Sequence, residues 1–317
     1  MALSPELFKR LSRLNRPLLK EELRTGDQVA SAPRRDPFSV EPIDPTLRLE
    51  TVLPGRECRT RLGRYYRVSR GAEALWPSAR PEGADGGAWP DGPGFVAAYC
   101  GAVGGSACAV RPDDLHESLR PLVLADRARI TYLDVETCGL AGEPVFLVGL
   151  MRLRPVRGER GGLAVDQFLA RDYSEEGPML EAVWRELAET ECLVTFNGRS
   201  FDLPMIEARS AVCGLFDCPA VSAHVDLLHE ARRRWRRELP NCRLQTLERE
   251  VCGRRRMGDI PGCDIPAAYN EFVRAHQEAD ARRRAVSVRR LQTILYHNGL
   301  DLVTMAELVL RILSGRF

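Results

Sequence analysis

The chain has 317 residues, of which 44% are hydrophobic and 28% are charged, and its formal net charge is +2. This hydrophobic fraction is sufficient for a buried core and excludes a wholly disordered chain. No run approaches the ~20 consecutive apolar residues of a membrane helix, and the charged residues 1–24 contain no apolar segment typical of signal peptides. Ten cysteines occur without a C-x-x-C pair, so we expect a cytoplasmic protein with free thiols and no membrane partner.

The basic residues are almost all arginine. Of 46 lysines and arginines, only Lys9 and Lys20 are lysines. We interpret this as a coding bias of a GC-rich bacterial genome. The choice of arginine over lysine therefore carries no information about phosphate binding, and only the placement of the charges does.

The first third of the chain shows little periodicity. Leucines spaced three and four apart in residues 1–24 predict a short amphipathic helix. Residues 77–94 contain four prolines and five glycines, a composition typical of a loop or linker. We predict that residues 1–110 form an extended, mostly irregular N-terminal arm, with one strand near residues 65–68.

From residue 126 onward the pattern changes to alternating strands and helices. Strands are predicted at 130–135, 145–152, 165–169, 193–196 and 223–227, and helices at 180–187, 202–211 and through most of the remainder. Three strands followed by alternating helix and strand predict a mixed α/β domain at residues 126–317.

The first motif with chemical meaning lies on the strand at 130–135. Side chains alternate along a strand, so Asp134 and Glu136 share a face with the apolar Ile130 and Tyr132. Two unpaired carboxylates are costly to bury, and a hard divalent cation such as Mg²⁺ or Mn²⁺ removes that cost. The alternative is that both acids lie in water at the end of the strand.

The second motif, at residues 196–204, places Asn197 at the end of a strand and Asp202 at the start of a helix. An ordinary turn followed by a helix N-cap explains the same pattern.

In the third motif, His297 and Asp301 are four residues apart and share one face if the helix is continuous. The alternative is that Asn298 and Gly299 end one helix and Asp301 caps the next.

Taken in order, D-x-E, N-x-x-x-F-D and H-x-x-x-D resemble the motifs of the DEDD 3′–5′ exonuclease superfamily. Residues 130–313 more narrowly resemble its bacterial YprB-like ribonuclease H-like branch. That resemblance includes three further segments, at 224–228, 244–248 and 259–262. It implies an RNase H-like mixed β-sheet flanked by helices.

The resemblance also implies an activity: metal-dependent removal of the 3′-terminal nucleotide from single-stranded DNA or RNA. Two divalent cations, Mg²⁺ or Mn²⁺, would be held by four acidic residues, namely Asp134, Glu136, Asp202 and Asp301. His297 would be the general base, and Thr137 and Asn197 would contact the substrate. Family members that use a tyrosine base carry it four residues before the last aspartate, and those that use histidine carry it five before. Here the order is reversed, with His297 at minus four and Tyr296 at minus five.

Residues 231–290 contain sixteen arginines against eight acidic residues. This excess predicts a phosphate-binding surface, for which the candidates are Arg232, Arg233, Arg254 and Arg255. A solvated helix face in an arginine-biased chain is the alternative. Asp226 is a candidate support behind the metal ligands, or else a helix cap. Cys242, Cys252 and Cys263 have spacings of ten and eleven, which match no short-range zinc-ligand pair, so we expect ordinary thiols.

Two functions of different class follow from the sequence. The first is the metal-dependent exonuclease. The second is a catalytically weak or inactive RNase H-like module that binds nucleic acid. An internal cutter of RNA–DNA hybrids would share the metal ligands but would need an open groove.

Overall fold

The computed structural model describes residues 47–75, 93–104, 110–140, 142–154 and 162–315. The amphipathic helix predicted at residues 1–24 lies outside these ranges. Within them, no helix is both long enough and apolar enough to cross a membrane.

Seven strands form one mixed sheet in the order β1-β2-β5-β4-β3-β6-β7. The strands are β1 Arg56–Thr60, β2 Gly63–Gly71, β3 Ile130–Thr137, β4 Val145–Arg154, β5 Gly162–Leu169, β6 Cys192–Thr195 and β7 Ala223–Asp226. The pairs β3–β6 and β6–β7 are parallel, and the other four pairs are antiparallel. All five strands predicted from the sequence pattern after residue 126 are present.

Nine α-helices of the described residues accompany the sheet. They are α1 Leu49–Val52, α2 Pro93–Ala102, α3 Pro121–Leu124, α4 Glu176–Leu187, α5 Asp202–Val212, α6 Leu227–Trp235, α7 Leu244–Glu250, α8 Ile265–Gln277 and α9 Ala281–Ser314. Their apolar residues cover both faces of the sheet. The mixed α/β architecture predicted from the alternating pattern is therefore confirmed.

β3 shows why the sheet is buried on both faces. Its side chains alternate between two apolar clusters: Ile130 and Tyr132 belong to one, and Leu133 and Val135 to the other. Helix α9 contributes to both clusters, because its 34 residues extend for about 51 Å. The carboxyl end of β3 is thereby fixed against the middle of α9.

The extent of the irregular N-terminal arm requires a correction. Residues 56–71 form a hairpin whose second strand pairs with β5 and extends the sheet. Its side chains Tyr65, Tyr66 and Val68 are buried, and α2 buries Phe95 and Tyr99. The sequence prediction began the folded domain at residue 126 because proline- and glycine-rich segments separate these elements along the chain. The aromatic residues nevertheless gain enough buried apolar surface to join the core.

Substitution of Tyr66 tests whether the hairpin belongs to the cooperatively folded domain. The Tyr66 side chain is 1% exposed and its hydroxyl donates to the carbonyl of Leu53 at 2.8 Å. We expect Tyr66→Ala to lower the free energy of unfolding by about 3–5 kcal/mol, the usual cost of removing a buried aromatic ring. Urea denaturation followed by circular dichroism measures this change.

The matched control is Leu62→Ala at the turn of the same hairpin. Leu62 is exposed, so its substitution should change stability by no more than about 0.5 kcal/mol. Equal, small effects of the two substitutions would show that the hairpin is not part of the cooperative unit.

Candidate functional site

β3 carries the first two candidate acids at its carboxyl end. Asp134 and Glu136 project from the same face, and both are half-buried. The neighbouring Thr137 is buried, and its hydroxyl donates to the carbonyl of Gly139 at 2.5 Å. Thr137 therefore shapes the turn after β3 as well as lying beside the acids.

The third acid, Asp202, is the buried first residue of α5, beyond the turn that follows β6. The turn begins at Asn197, whose φ of 69° lies in the left-handed region. Asp226 fixes it, because its carboxylate accepts from the backbone N–H groups of Asn197 at 2.8 Å and Arg199 at 3.2 Å. The same carboxylate caps α6 through the N–H of Leu228 at 3.0 Å. Asp226 thus caps a helix and also holds the turn that begins at Asn197.

The fourth acid, Asp301, lies on α9 together with His297. The helix continues through Gly299, so the predicted alternative of two helices that meet at this glycine is wrong. His297 Nε2 lies 3.5 Å from Asp301 Oδ2. Gly299 has a packing role, since a Cβ at this position would lie 2.7 Å from Leu75 Cδ1.

The four carboxylates act on one another electrostatically. Burial, followed by the charges of Asp301, Glu136 and Asp202, raises the pKa of Asp134 well above its usual value. The pKa of Glu136 is raised by burial and by Asp301 and Asp202. Burial also raises the pKa of Asp202 to about 7, with Asp226 and Asp301 contributing. Acids from three separate segments therefore face one region, where negative charges are crowded together.

Positive and hydrogen-bonding groups engage two of these acids. Arg256 Nη2 pairs with Asp301 Oδ1, and Asn298 Nδ2 donates to Asp134 Oδ2 at 2.8 Å. In the described part of the chain, no three acidic, histidine or cysteine side chains are grouped closely enough to hold a metal ion. The donor set itself fits a hard divalent cation, because it consists of carboxylate oxygens whose mutual repulsion such a cation relieves.

Two further residues, Asp259 and Arg256, contact His297 and Asp301; from the sequence, Asp259 was noted only within a segment of the family resemblance and Arg256 only within the arginine excess at 231–290. His297 Nδ1 donates to Asp259, with contacts of 2.9 and 3.0 Å to its two oxygens. Arg256 pairs with Asp259 at 3.2 Å, with Glu248 at 2.6 Å, and with Asp301. Asp259 begins the segment 259–262 that carries part of the family resemblance, and Arg256 lies three residues before it. That resemblance was the available signal, but it did not indicate that these loops reach α9.

The pKa values of the histidine pair follow from this arrangement. Burial by itself lowers the pKa of His297, but the charges of Asp301 and Asp259 outweigh it and raise this pKa to about 9. Burial opposes the ionisation of Asp259, yet the hydrogen bond from His297 and the charge of Arg256 lower its pKa. His297 is therefore held as a cation between two carboxylates.

The four candidate arginines occupy different environments. Arg232 and Arg233 are exposed on α6, and Arg233 pairs with Glu230 at 2.7 Å. Arg255 is also exposed. Arg254 is less exposed: its side chain is only 10% exposed and pairs with Glu307 at 2.8 Å, and it also lines the cleft that contains Arg255. Its charge is neutralised inside the domain.

Beside His297 and Asp301 lies an open cleft of about 500 Å³. Its walls include Arg255 and Arg256, together with Asp259. Because Arg256 and Asp259 contact Asp301 and His297, the cleft adjoins the acidic site. Its basic wall gives a nucleic-acid backbone a surface of suitable charge.

The cysteine alternative is not supported. Cys252 is buried, Cys242 is half-buried and Cys263 is exposed, and all three are free. None of them belongs to a metal-binding group within the ranges that the structure covers. Of the three thiols, only that of Cys252 is buried.

Comparison with known proteins decides the family. Residues 131–313, more than half of the chain, match the RNase_H superfamily. The chain belongs to this superfamily. It is also 32% identical over 188 residues to the uncharacterized protein YprB of Bacillus subtilis (strain 168), an alignment that covers 58% of this chain and 41% of that protein. The chain thus spans less than half of the length of this curated relative.

Membership confirms the predicted RNase H-like fold and its resemblance to YprB. Members of the RNase H superfamily are nucleases that generally use divalent metal ions, so the family suggests a nuclease domain and nucleic acid as its class of partner. Of the four acids, Asp134 and Glu136 lie at the carboxyl end of β3, Asp202 begins α5 and Asp301 lies on α9.

Substitution of Gly149 tests the close packing between β4 and Asn298 of α9. Gly149 lies opposite Asp134 on β4, and a Cβ there would lie 2.2 Å from Asn298 Oδ1. We expect Gly149→Ala to lower the free energy of unfolding by about 1–3 kcal/mol, because the buried asparagine must move. Urea denaturation measures the effect.

Gly101→Ala is the matched control. Gly101 is exposed in α2, and a Cβ there would meet nothing within 4 Å. This substitution should raise stability by up to about 1 kcal/mol, because alanine favours the helix. A stabilising Gly149→Ala would contradict the close contact with Asn298.

Proposed function

We propose that this chain is a metal-dependent nuclease that acts as a 3′–5′ exonuclease on single-stranded DNA or RNA. The observation that supports this most strongly is that Asp134, Glu136, Asp202 and Asp301, from β3, α5 and α9, face one region closely enough for their charges to contribute to the raised pKa values of the first three. Each of the first three has a raised pKa because it is buried near the others. A structural role gives no reason to bring four repelling carboxylates together, whereas binding of divalent cations does.

Two divalent cations, Mg²⁺ or Mn²⁺, would be held by these four acids. When bound, they supply Lewis-acid stabilisation of the charge that develops on the phosphodiester group. The protein contributes oxygen ligands from rigid elements, since β3 lies in the middle of the sheet and α9 packs against it. Such elements hold ligands more accurately than loops do.

His297 would act as the general base. Asp259 accepts the Nδ1–H, so Nε2 is the nitrogen that faces Asp301 and the acidic site. Nε2 would take a proton from the attacking water, while the water oxygen bonds to phosphorus and the 3′ oxygen of the bond leaves. Neutralisation of Asp301 by a cation would remove the largest influence that raises the His297 pKa, and would release Nε2 for this role.

The substrate would be bound by groups around the acids. β3 and β6 are neighbouring parallel strands, so Thr137 and the Asn197 turn follow strand ends at one edge of the sheet. The cleft beside His297 would take the nucleic-acid backbone through Arg255, and Arg232 and Arg233 on α6 would add longer-range attraction.

A second candidate is a nucleic-acid-binding module without strong catalysis. The ion pair between Arg256 and Asp301 favours it, because it engages one of the four acids with a protein cation. The reversed order of Tyr296 and His297 relative to the family motif favours it as well.

Digestion of end-labelled single- and double-stranded DNA and RNA in Mn²⁺ tests the proposal. We expect a product ladder that shortens from the 3′ end of single strands and disappears when EDTA removes the cation. Asp134→Asn should abolish it, because it removes a ligand charge. Asp217→Asn, at an exposed acid away from the site elements, should leave it unchanged.

Internal fragments at early times would contradict the exonuclease and indicate an internal cutter. Binding of the labelled strands without cleavage would contradict the nuclease and favour the binding module.

His297 and Tyr296 provide a second test. We expect His297→Ala to lower turnover by roughly 10²–10⁴, the effect of losing a general base, with Mn²⁺ affinity nearly unchanged. Tyr296→Phe should change little, because the unbroken α9 turns this half-buried residue toward the apolar cluster. Single-turnover cleavage gives the rates, and calorimetric titration gives the affinity. An active His297→Ala together with an inactive Tyr296→Phe would show that Tyr296, and not His297, is the base.

A further inference from the structure

A row of opposed residues crosses three strands behind the proposed metal site. Asp134 on β3 lies opposite Gly149 on β4, which lies opposite Gln167 on β5. Directly opposed residues on adjacent strands project from the same face of a sheet. Asp134 and Gln167 therefore point to one side, with an empty position between them at Gly149.

Asn298 of α9 occupies the space above Gly149. It is fully buried, its Nδ2 donates to Asp134 Oδ2 at 2.8 Å, and its Oδ1 accepts from Gln167 Nε2 at 2.8 Å. A Cβ on residue 149 would lie 2.2 Å from Asn298 Oδ1. The lack of a side chain at Gly149 thus leaves room for the Asn298 amide, which links Gln167 to Asp134.

The chain of hydrogen bonds extends to an arginine on β2. Arg70 Nη2 donates to Gln167 Oε1 at 2.7 Å and to the carbonyl of Leu295 at 3.1 Å. Burial lowers the pKa of Arg70 to about 10, so its guanidinium remains charged at neutral pH. Gly299 of α9 lies beside the same arginine, since a Cβ there would be in ordinary contact with Arg70 Nη2 at 3.5 Å.

Arg70 differs from its neighbour Arg67. Arg67 pairs with Asp166 and Glu186, each at 3.0 Å. Arg70 has no such carboxylate partner in the described ranges, and its charge is directed to an amide oxygen. A half-buried cation of this kind is costly unless its hydrogen bonds are well placed.

The groups at the two ends of this series of hydrogen bonds, Arg70 and Asp134, determine the direction in which each bond is donated. A guanidinium can only donate and a carboxylate can only accept, so both amides between them must point the same way. Each hydrogen bond in such a chain polarises the next, which strengthens the final N–H donated to Asp134. The series of hydrogen bonds thus starts at a positive charge and ends at one oxygen of the aspartate.

We propose that Arg70, Gln167 and Asn298 are positioning residues that orient the Asp134 carboxylate as a ligand for the divalent cation. This inference rests on the proposed function. Asn298 takes up Oδ2 and fixes the rotation of the carboxylate. Hydrogen-bond partners behind metal ligands commonly contribute a factor of 10–100 to metal affinity.

Calorimetric titration of the full chain with Mn²⁺ alone tests the inference without any need for activity. We expect Asn298→Ala and Arg70→Met each to weaken Mn²⁺ binding by roughly tenfold or more. The double variant should bind no more weakly than Asn298→Ala, because Arg70 acts through Asn298. A general packing defect would instead multiply the two effects.

Two substitutions serve as controls. Arg64→Met removes an exposed arginine of the same strand, which pairs with Glu175 and Glu57, and should leave the affinity unchanged. Arg70→Lys keeps the charge and a donor, and should retain most of the affinity. Where circular dichroism shows that Arg70→Met has not folded, Arg70→Gln takes its place, since it keeps an amide donor without the charge.

Unchanged Mn²⁺ affinity in Arg70→Met, or two effects that multiply in the double variant, would overturn the inference while the proposed metal site stands. Failure of the unsubstituted chain to bind Mn²⁺ would instead overturn the proposed function, and the inference with it.

Discussion

Repulsion between carboxylates that face one region at the carboxyl end of β3 is the constraint to which the surrounding structure responds. Three of them have raised pKa values because burial and the neighbouring charges disfavour their ionised forms. Isolated negative charges in such a place would destabilise the fold. Donors or cations contact two of them: Arg256 and His297 lie against Asp301, and Asn298 donates to Asp134. Each of these would also be suited to a site that a divalent cation enters.

Helix α9 is the element that makes this arrangement possible. Along its unbroken length it supplies the histidine, the asparagine that contacts Asp134, and the fourth acid. Gly299 contributes through its small size rather than by ending the helix, because it lets residue 75 pack closely against α9. A glycine in a helix costs roughly 1 kcal/mol relative to alanine, and here that cost accompanies a close contact which alanine would prevent.

The N-terminal hairpin links stability to the site. β2 adds a strand beside β5 and buries two tyrosines in the core. The same strand carries Arg70, whose hydrogen bond to Gln167 begins the row that ends at Asp134. A segment far from the acidic motifs in sequence is therefore linked to Asp134 by hydrogen bonds. The matched family region begins only at residue 131, so this contribution lies outside it.

The sequence by itself determined the alternating strands and helices after residue 126 and the order of the acidic motifs, because both depend on local periodicity and spacing. It did not determine which of two local alternatives held at Gly299, or that Arg254 would be buried against Glu307. Those outcomes depend on contacts between residues about 50 to 225 positions apart, such as Arg254 with Glu307 and Arg70 with Leu295. Only tertiary packing decides such contacts, since no local pattern encodes which distant side chain will fill the space left by a glycine or neutralise a buried charge.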